Sequence, residues 1–191
     1  METQKNNQQL LDDLYAPYTN CLRCPLSTQG RTQVVFGSGN PNAQLMLIGE
    51  APGAQEDLEG KPFVGRSGRL LTKLLLAAGT SREQVYITNI VKCRPPLNRK
   101  PLPIESSTCR QLLLEKQIKI IHPKVLCTLG STALEGLINR PIKITQCRGK
   151  VLMLGDISII PTYHPAYILR NPKELERLYA DLLAATLLSS Q

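Results

Sequence analysis

Tryptophan is absent from this 191-residue chain, and phenylalanine occurs twice. No apolar run approaches the roughly 20 residues that a membrane helix needs. The start, METQKNNQQLLDD, is polar almost throughout and has no apolar stretch of the secretory kind. Both absences favour a soluble, cytoplasmic protein. A phosphate loop is missing, and so is a dense carboxylate cluster for magnesium, which disfavours a nucleotide hydrolase. With no internal repeat and no interdomain linker, the length suits one domain over residues 1–191, large enough to bury a core. Acidic residues are the scarcer charge, 15 against 23 Lys and Arg, for a net +8. That balance favours an anionic partner, nucleic acid first. The basic residues group at Lys92, Arg94, Arg99 and Lys100, and again at Arg148 and Lys150. A charge run is usually a solvated face, so this feature by itself is thin support.

The chain has six cysteines, and in a reducing compartment ligands or free thiols are favoured over disulfides. Cys21 and Cys24 form a C-x-x-C, whose short loop lets two thiolates converge. Cys93 ends an expected strand, and Cys109 lies early in an expected helix. These four can complete a four-thiolate site for zinc or an iron–sulfur cluster. The missing second C-x-x-C knuckle disfavours a zinc ribbon and favours [4Fe–4S]. Cys127 lies inside an apolar run and reads as a buried thiol. Cys147 has no evident partner.

The stretch at residues 45–71, LMLIGEAPGAQEDLEGKPFVGRSGRLL, organises the rest. Its apolar start predicts a strand buried on both faces. Gly49 to Gly53 make a tight turn, a polar loop follows, and from Ser67 the spacing of Leu70, Leu71, Leu74, Leu75 and Ala78 predicts a helix closed by Gly79. Further strands are expected at 85–91, 125–129 and 157–161, with helices near 8–15, 103–121 and 131–139. Residues 1–20 read as a polar tail and that first short helix. Residues 94–103, RPPLNRKPLP, read as an irregular surface loop. Residues 144–154 read as a hairpin arm feeding the last strand. The last helix is expected to start with Asn171 as N-cap and Pro172 at its first position. The alternation predicts an α/β/α sandwich with a central, mostly parallel four-stranded sheet.

Glu50, Asn89 and His164 stand at or near the carboxyl ends of expected strands, the edge where open α/β sheets bind ligands. Each also has a plain alternative: a solvated carboxylate, a buried amide satisfying the backbone, an ordinary loop histidine. Phe63, between Pro62 and Gly65 in a polar loop, is either a small hydrophobic plug or a stacking platform for a planar ligand.

Three stretches, GEAPGAQEDLEGKPFVGRSGRLL, YITNIVKCRPPLNRKPLP and YHPAYILRNP, together with the four spaced cysteines, resemble the iron–sulfur uracil-DNA glycosylases, the fourth family of that superfamily. The resemblance spans Cys21 to about Pro172, with the motifs in the expected order. It implies hydrolysis of the bond between uracil and deoxyribose after base flipping. It also implies a [4Fe–4S] cluster on Cys21, Cys24, Cys93 and Cys109. Asn89 matches the base reader, Phe63 the residue stacking on the flipped ring, and Glu50 a position beside uracil C5 that excludes thymine. His164 matches the catalytic histidine, with Gly49 and the backbone of Glu50 and Ala51 around the base.

The segment Tyr167-Ile168-Leu169-Arg170 matches the minor-groove loop, with Leu169 or Arg170 as wedge. In the best-known uracil glycosylases an Asp follows the residue matching Glu50, but here that position is Ala51. Glu56 is the remaining candidate for positioning water. The expected partner is uracil-containing DNA, single- or double-stranded, bound by a monomer with no membrane involved. A non-catalytic nucleic-acid-binding protein with a four-cysteine metal site is the alternative. It would release nothing from uracil-containing DNA.

Overall fold

The computed structural model describes residues 5–191. Its sheet is built on four parallel strands: β2 (Leu45–Gly49), β3 (Tyr86–Asn89), β4 (Val125–Leu129) and β6 (Ile157–Thr162). Two short strands flank them antiparallel, β1 (Ser38–Gly39) on β3 and β5 (Leu152–Leu154) on β6. The sheet is therefore six-stranded and mixed, in the order β1-β3-β2-β4-β6-β5. The expected four strands form its parallel centre. The edge pair escapes sequence reading because two and three residues are too few to show a period.

The apolar run of β2, and that of β4 with Thr128 as its one polar residue, are buried along their whole length. Alternate side chains enter cores on opposite faces of the sheet, so both faces are written in apolar residues. Met46 and Ile48 face one core, which holds Leu11 of α1 (Asn7–Tyr15), Leu113 and Ile118 of the rod at 103–121, and Leu134 of α6 (Ser131–Ile138). Leu45 and Leu47 face the other, with Leu71 and Leu75 of α3 (Arg66–Ala77) and Leu178 and Leu182 of α9 (Leu175–Ser189). The result is a three-layered α/β sandwich.

Several elements differ from expectation. The stretch read as a loop after β2 holds a short helix, α2 (Ala54–Glu59), because Glu56 caps it and Gly60 leaves it at φ 71°. The rod at 103–121 is α4 (Pro103–Cys109) and α5 (Glu115–Ile121) joined by a π-helical turn over Arg110–Leu114. Such insertions commonly accompany functional sites, and this one begins directly after Cys109. Of residues 144–154, only Leu152–Leu154 form the expected hairpin arm, pairing antiparallel with β6 across Gly155-Asp156, while Ile144–Cys147 make a helix, α7. Asn171 does not cap the last helix. A separate helix, α8 (Pro165–Arg170), comes first, and the Asn171 amide donates back to the Tyr167 carbonyl at 3.1 Å. Pro172–Glu174 then make a single 3₁₀ turn before α9. No helix among the described residues is long and apolar enough to cross a membrane.

Candidate active site

Parallel strands in register end together, so the register Gly49 with Asn89 and Leu129 with Thr162 sets the residues after β2, β3 and β6 along one edge. A cleft of about 460 Å³ opens there, and Glu50, Ala51, Glu56, Phe63, Asn89, His164 and Arg170 all line it. Gly49 lies directly beneath. A Cβ at that position would collide with Asn89 Oδ1 and with the Phe63 ring. The packing of the amide and the ring against the strand therefore requires glycine.

Asn89 is 1 % exposed, and its Oδ1 has no hydrogen-bond partner. Orphaned buried acceptors are rare and costly in folded proteins, so the atom is poised for a donor from the cleft. The backbone beneath it is fixed by Lys92, a residue grouped above with surface cations but here 0 % exposed. The Lys92 ammonium donates to Thr88 Oγ1 at 2.5 Å and to the Asn89 carbonyl at 2.8 Å.

Phe63 adopts φ 54°, a left-handed conformation unusual for an aromatic residue. Its loop is held from two sides. Arg82 donates to the Phe63 carbonyl at 2.9 Å and the Pro62 carbonyl at 2.7 Å. Gly68 of α3 lets that helix approach the Phe63 carbonyl more closely than any side chain would allow. The ring lies 5.6 Å from the His164 imidazole, tilted by 31°.

Glu56 accepts from the backbone N–H of Val64 at 2.9 Å and Gly65 at 2.8 Å through Oε1, and from Gly53 at 3.2 Å through Oε2. Oε1 thus binds the loop that carries Phe63, and Oε2 the start of α2.

His164 is half-buried and caps α8, its Nδ1 accepting the Ala166 N–H at 3.0 Å. That bond leaves the proton of the neutral ring on Nε2. Burial, then repulsion from Arg170, pushes the His164 pKa down to about 4, against a smaller opposing pull from Glu56. The imidazole is thus a neutral donor at physiological pH. Two residues before His164, Thr162 Oγ1 donates at 2.6 Å to Asp181, which is 3 % exposed and also accepts from the Nε and one terminal nitrogen of the Arg148 guanidinium. The same guanidinium lies 5.4 Å from the Tyr163 ring centre. Leu169 is partly exposed on α8, between cleft residues Tyr167 and Arg170.

Sequence reasoning misses Arg82 and Asp181, which reach Phe63 and Thr162 from 19 residues along the chain, and Lys92, whose burial a charge pattern does not reveal. The contiguous basic run was the misleading signal. Arg99 is bound in two places to the buried Glu105, Lys100 pairs with Glu135, and Arg148 serves Asp181.

Cys21, Cys24, Cys93 and Cys109 share one neighbourhood at the edge of the first core. Burial pushes the Cys93 thiol up to about 12 and that of Cys109 up to about 11, and both also feel Cys21 and Cys24. The Lys92 N–H donates to Cys109 Sγ at 3.3 Å, and Arg31 donates to the Cys21 carbonyl at 2.7 Å. Among the described residues no three Cys, His, Asp or Glu side chains are arranged to hold a single metal ion. Cys127 is fully buried, as its apolar run implies.

The profile of the Uracil DNA glycosylase superfamily matches residues 36–185. The chain belongs to that superfamily. Within it the similarity runs to the Type-4 enzymes. The Type-4 uracil-DNA glycosylase of Thermotoga maritima is 46 % identical over 177 residues, 91 % of each chain. That of Archaeoglobus fulgidus is 40 % identical over 179 residues, 90 % of this chain and 89 % of its own. That of Sulfurisphaera tokodaii is 43 % identical over 180 residues, 90 % of this chain and 81 % of its own.

Proposed function

We propose that this protein is a DNA-repair glycosylase that hydrolyses the N-glycosidic bond of uracil in DNA, acting as a monomer on a nucleotide flipped into the cleft. The observation that carries the reading is the buried, unpartnered Asn89 Oδ1 facing a cleft walled by Phe63 and His164. Uracil presents an N3–H donor beside the O4 acceptor, and an amide answers both, with Oδ1 for N3–H and Nδ2 for O4. Cytosine presents the reverse order. Phe63 stacks on the ring. Glu50 flanks C5, where a carboxylate excludes the methyl group of thymine.

As the bond from C1′ to N1 breaks, its electron pair passes to uracil and negative charge builds on O2. His164 donates Nε2–H to that oxygen. Such a preorganised donor is typically worth about 2.7–4 kcal/mol in the transition state. The sugar becomes a cation, and water adds to C1′ with loss of a proton. Glu56 has both oxygens engaged with backbone N–H groups, so we assign it to bracing the Phe63 loop. Capture of water then follows from the cation itself, with the carboxylate of Glu50 and the DNA phosphates offsetting its charge. Leu169, with Arg170 beside it, fills the gap left in the stack.

We assign Cys21, Cys24, Cys93 and Cys109 to a [4Fe–4S] cluster, which when bound supplies a tie between the N-terminal segment, the end of β3 and α4. The donor set fits. Four thiols lie close enough to feel one another, with N–H groups on Cys109 Sγ and on the Cys21 carbonyl to hold them. A four-iron cluster is also wider than one ion, in keeping with thiols that do not converge on a single point.

The test is strand cleavage after alkali on a labelled oligonucleotide with one uracil, using anaerobically purified protein and its His164→Ala variant. We expect cleavage at uracil by the parent and a fall of about a hundredfold or more in the variant. DNA affinity should change little. No cleavage by cluster-loaded parent protein overturns the reading in favour of a binding module.

A further inference from the structure

We propose that Leu97 is a second apolar wedge, which enters duplex DNA from the lip of the cleft opposite Leu169. The inference rests on the uracil-excision reading above. Leu97 is 96 % exposed, the most exposed of the large apolar side chains among the described residues. Its backbone is left-handed, φ 53°, and the next residue, Asn98, follows at φ 55°. Asn tolerates that region, whereas Leu does so under strain, and strain of this kind persists where the surroundings over-determine it.

The surroundings here do. Asn98 N–H donates to the Pro95 carbonyl and Arg99 N–H to the Pro96 carbonyl, both at 3.0 Å. Arg94 Nε donates to Asn98 Oδ1 at 2.8 Å. Arg99 is anchored through two bonds, 2.8 and 2.7 Å, to the fully buried Glu105. A leucine is thus held out of the core on a rigid tip, when nothing in the fold requires it there.

The tip belongs to the cleft. Pro95, Asn98 and Arg99 line it, as do Tyr167 and Arg170. Leu97 stands to the first group as Leu169 stands to the second: an exposed leucine between cleft-lining neighbours. The first lip follows β3 and the second follows β6, three strand positions away. β2 and β4 run between the strands that the two lips follow, so the two leucines come from loops on either side of the centre of the sheet edge. Arg94, which has no carboxylate partner among the described residues, adds a cation at the same tip. Insertion between stacked bases is the established use of an exposed apolar residue in a DNA cleft.

A wedge matters where a stack must be opened, so the reading is tested by comparing substrates. Single-turnover excision is measured on one uracil-containing strand, alone and annealed, for the parent, Leu97→Ala and Leu97→Met. Alanine keeps the backbone, and methionine keeps the apolar reach. We expect the duplex-to-single-strand rate ratio to fall about tenfold in Leu97→Ala and to recover in Leu97→Met. Fluorescence of 2-aminopurine placed next to uracil, which reports unstacking, should rise less with Leu97→Ala than with the parent. An unchanged ratio in Leu97→Ala, or a methionine variant no better than alanine, overturns the wedge and leaves the glycosylase intact. A parent protein that releases no uracil from either substrate overturns the glycosylase reading first and the wedge with it.

Discussion

A buried polar atom without a partner costs about 1–3 kcal/mol, and Asn89 Oδ1 carries that cost in a position where uracil N3–H would relieve it. Replacing Asn89 by Asp exchanges the Nδ2 donor for an oxygen that only accepts when ionised. Uracil then loses its partner for O4, while the cytosine amino group gains one. We expect the ratio of uracil to cytosine excision to fall by at least about tenfold, since mismatched donors and acceptors are the strongest source of rejection in a buried site. Oligonucleotides differing in that one base measure it, and an unchanged ratio removes Asn89 from the role of base reader. His164 makes a pH prediction of the opposite kind. With its pKa lowered to about 4, the ring is neutral and competent across the physiological range. The rate should therefore show no His164 inflection between pH 5 and 8. A break near 6.5 that disappears in His164→Ala would show an ordinary histidine. The sign for stability follows from linkage. Between pH 6.5 and about 4 the unfolded chain binds a proton that folded His164 refuses, so stability falls as pH drops through that window.

At the scale of elements, the loop between β2 and α3 depends on carboxylates and guanidinium groups more than on apolar packing. Glu56 joins the start of α2 to the approach of α3, and Arg82 holds the carbonyls between them. Glu56→Gln keeps one acceptor oxygen for Val64 and Gly65 but turns an N–H₂ toward the N–H of Gly53. We expect a lower Tm and an excision rate reduced less than about tenfold. A true general base would lose on the order of a hundredfold to ten-thousandfold, so a loss of that size returns Glu56 to catalysis. The end of β6 has a parallel arrangement. Truncating Arg148 strands the nearly buried Asp181 carboxylate without its ion pair, which typically costs about 3–5 kcal/mol. Urea unfolding of Arg148→Ala should show that loss, and a value under about 1 kcal/mol would mean that solvent reaches Asp181.

For the whole molecule, the proposed cluster on the four cysteines would tie together segments that are separate in the chain: 21–24 before the sheet, 93 four residues after β3, and 109 in α4. Loss of one ligand, as in Cys109→Ser, should lower iron and sulfide content together. It should also loosen residues 94–103, since Cys93 and Cys109 bracket that loop. Hydrogen exchange confined to residues 16–36 and 90–110 would confirm the tie, and unchanged protection there would refute it. Charge acts at the same scale. The net +8 predicts that the KM for DNA rises with salt while the rate at saturation does not, because phosphate contacts release counterions.

Much of the fold was legible in local composition. Residues 45–48 form an unbroken apolar run and 125–129 one interrupted only by Thr128, the pattern that a strand with both faces buried favours. Gly49, Glu50, Asn89 and His164 could be located because parallel strands deliver their carboxyl ends to one edge, and Cys21, Cys24, Cys93 and Cys109 because thiols at those spacings are distinctive. What the sequence concealed is burial and the choice of partner, which charge and hydropathy patterns do not show. Lys92 reads as surface charge until Thr88 and the Asn89 carbonyl enclose it. Arg99 and Arg148 read as DNA contacts until Glu105 and Asp181 claim them. Leu97 reads as one residue of a proline-rich loop until the fold holds it exposed beside the cleft. The sequence by itself determined the four parallel strands, the edge they share and the residue types that meet there, since these follow from short-range patterning. Tertiary structure alone decided which charges are spent inside the protein and which apolar groups face outward, because both depend on neighbours that only folding brings together.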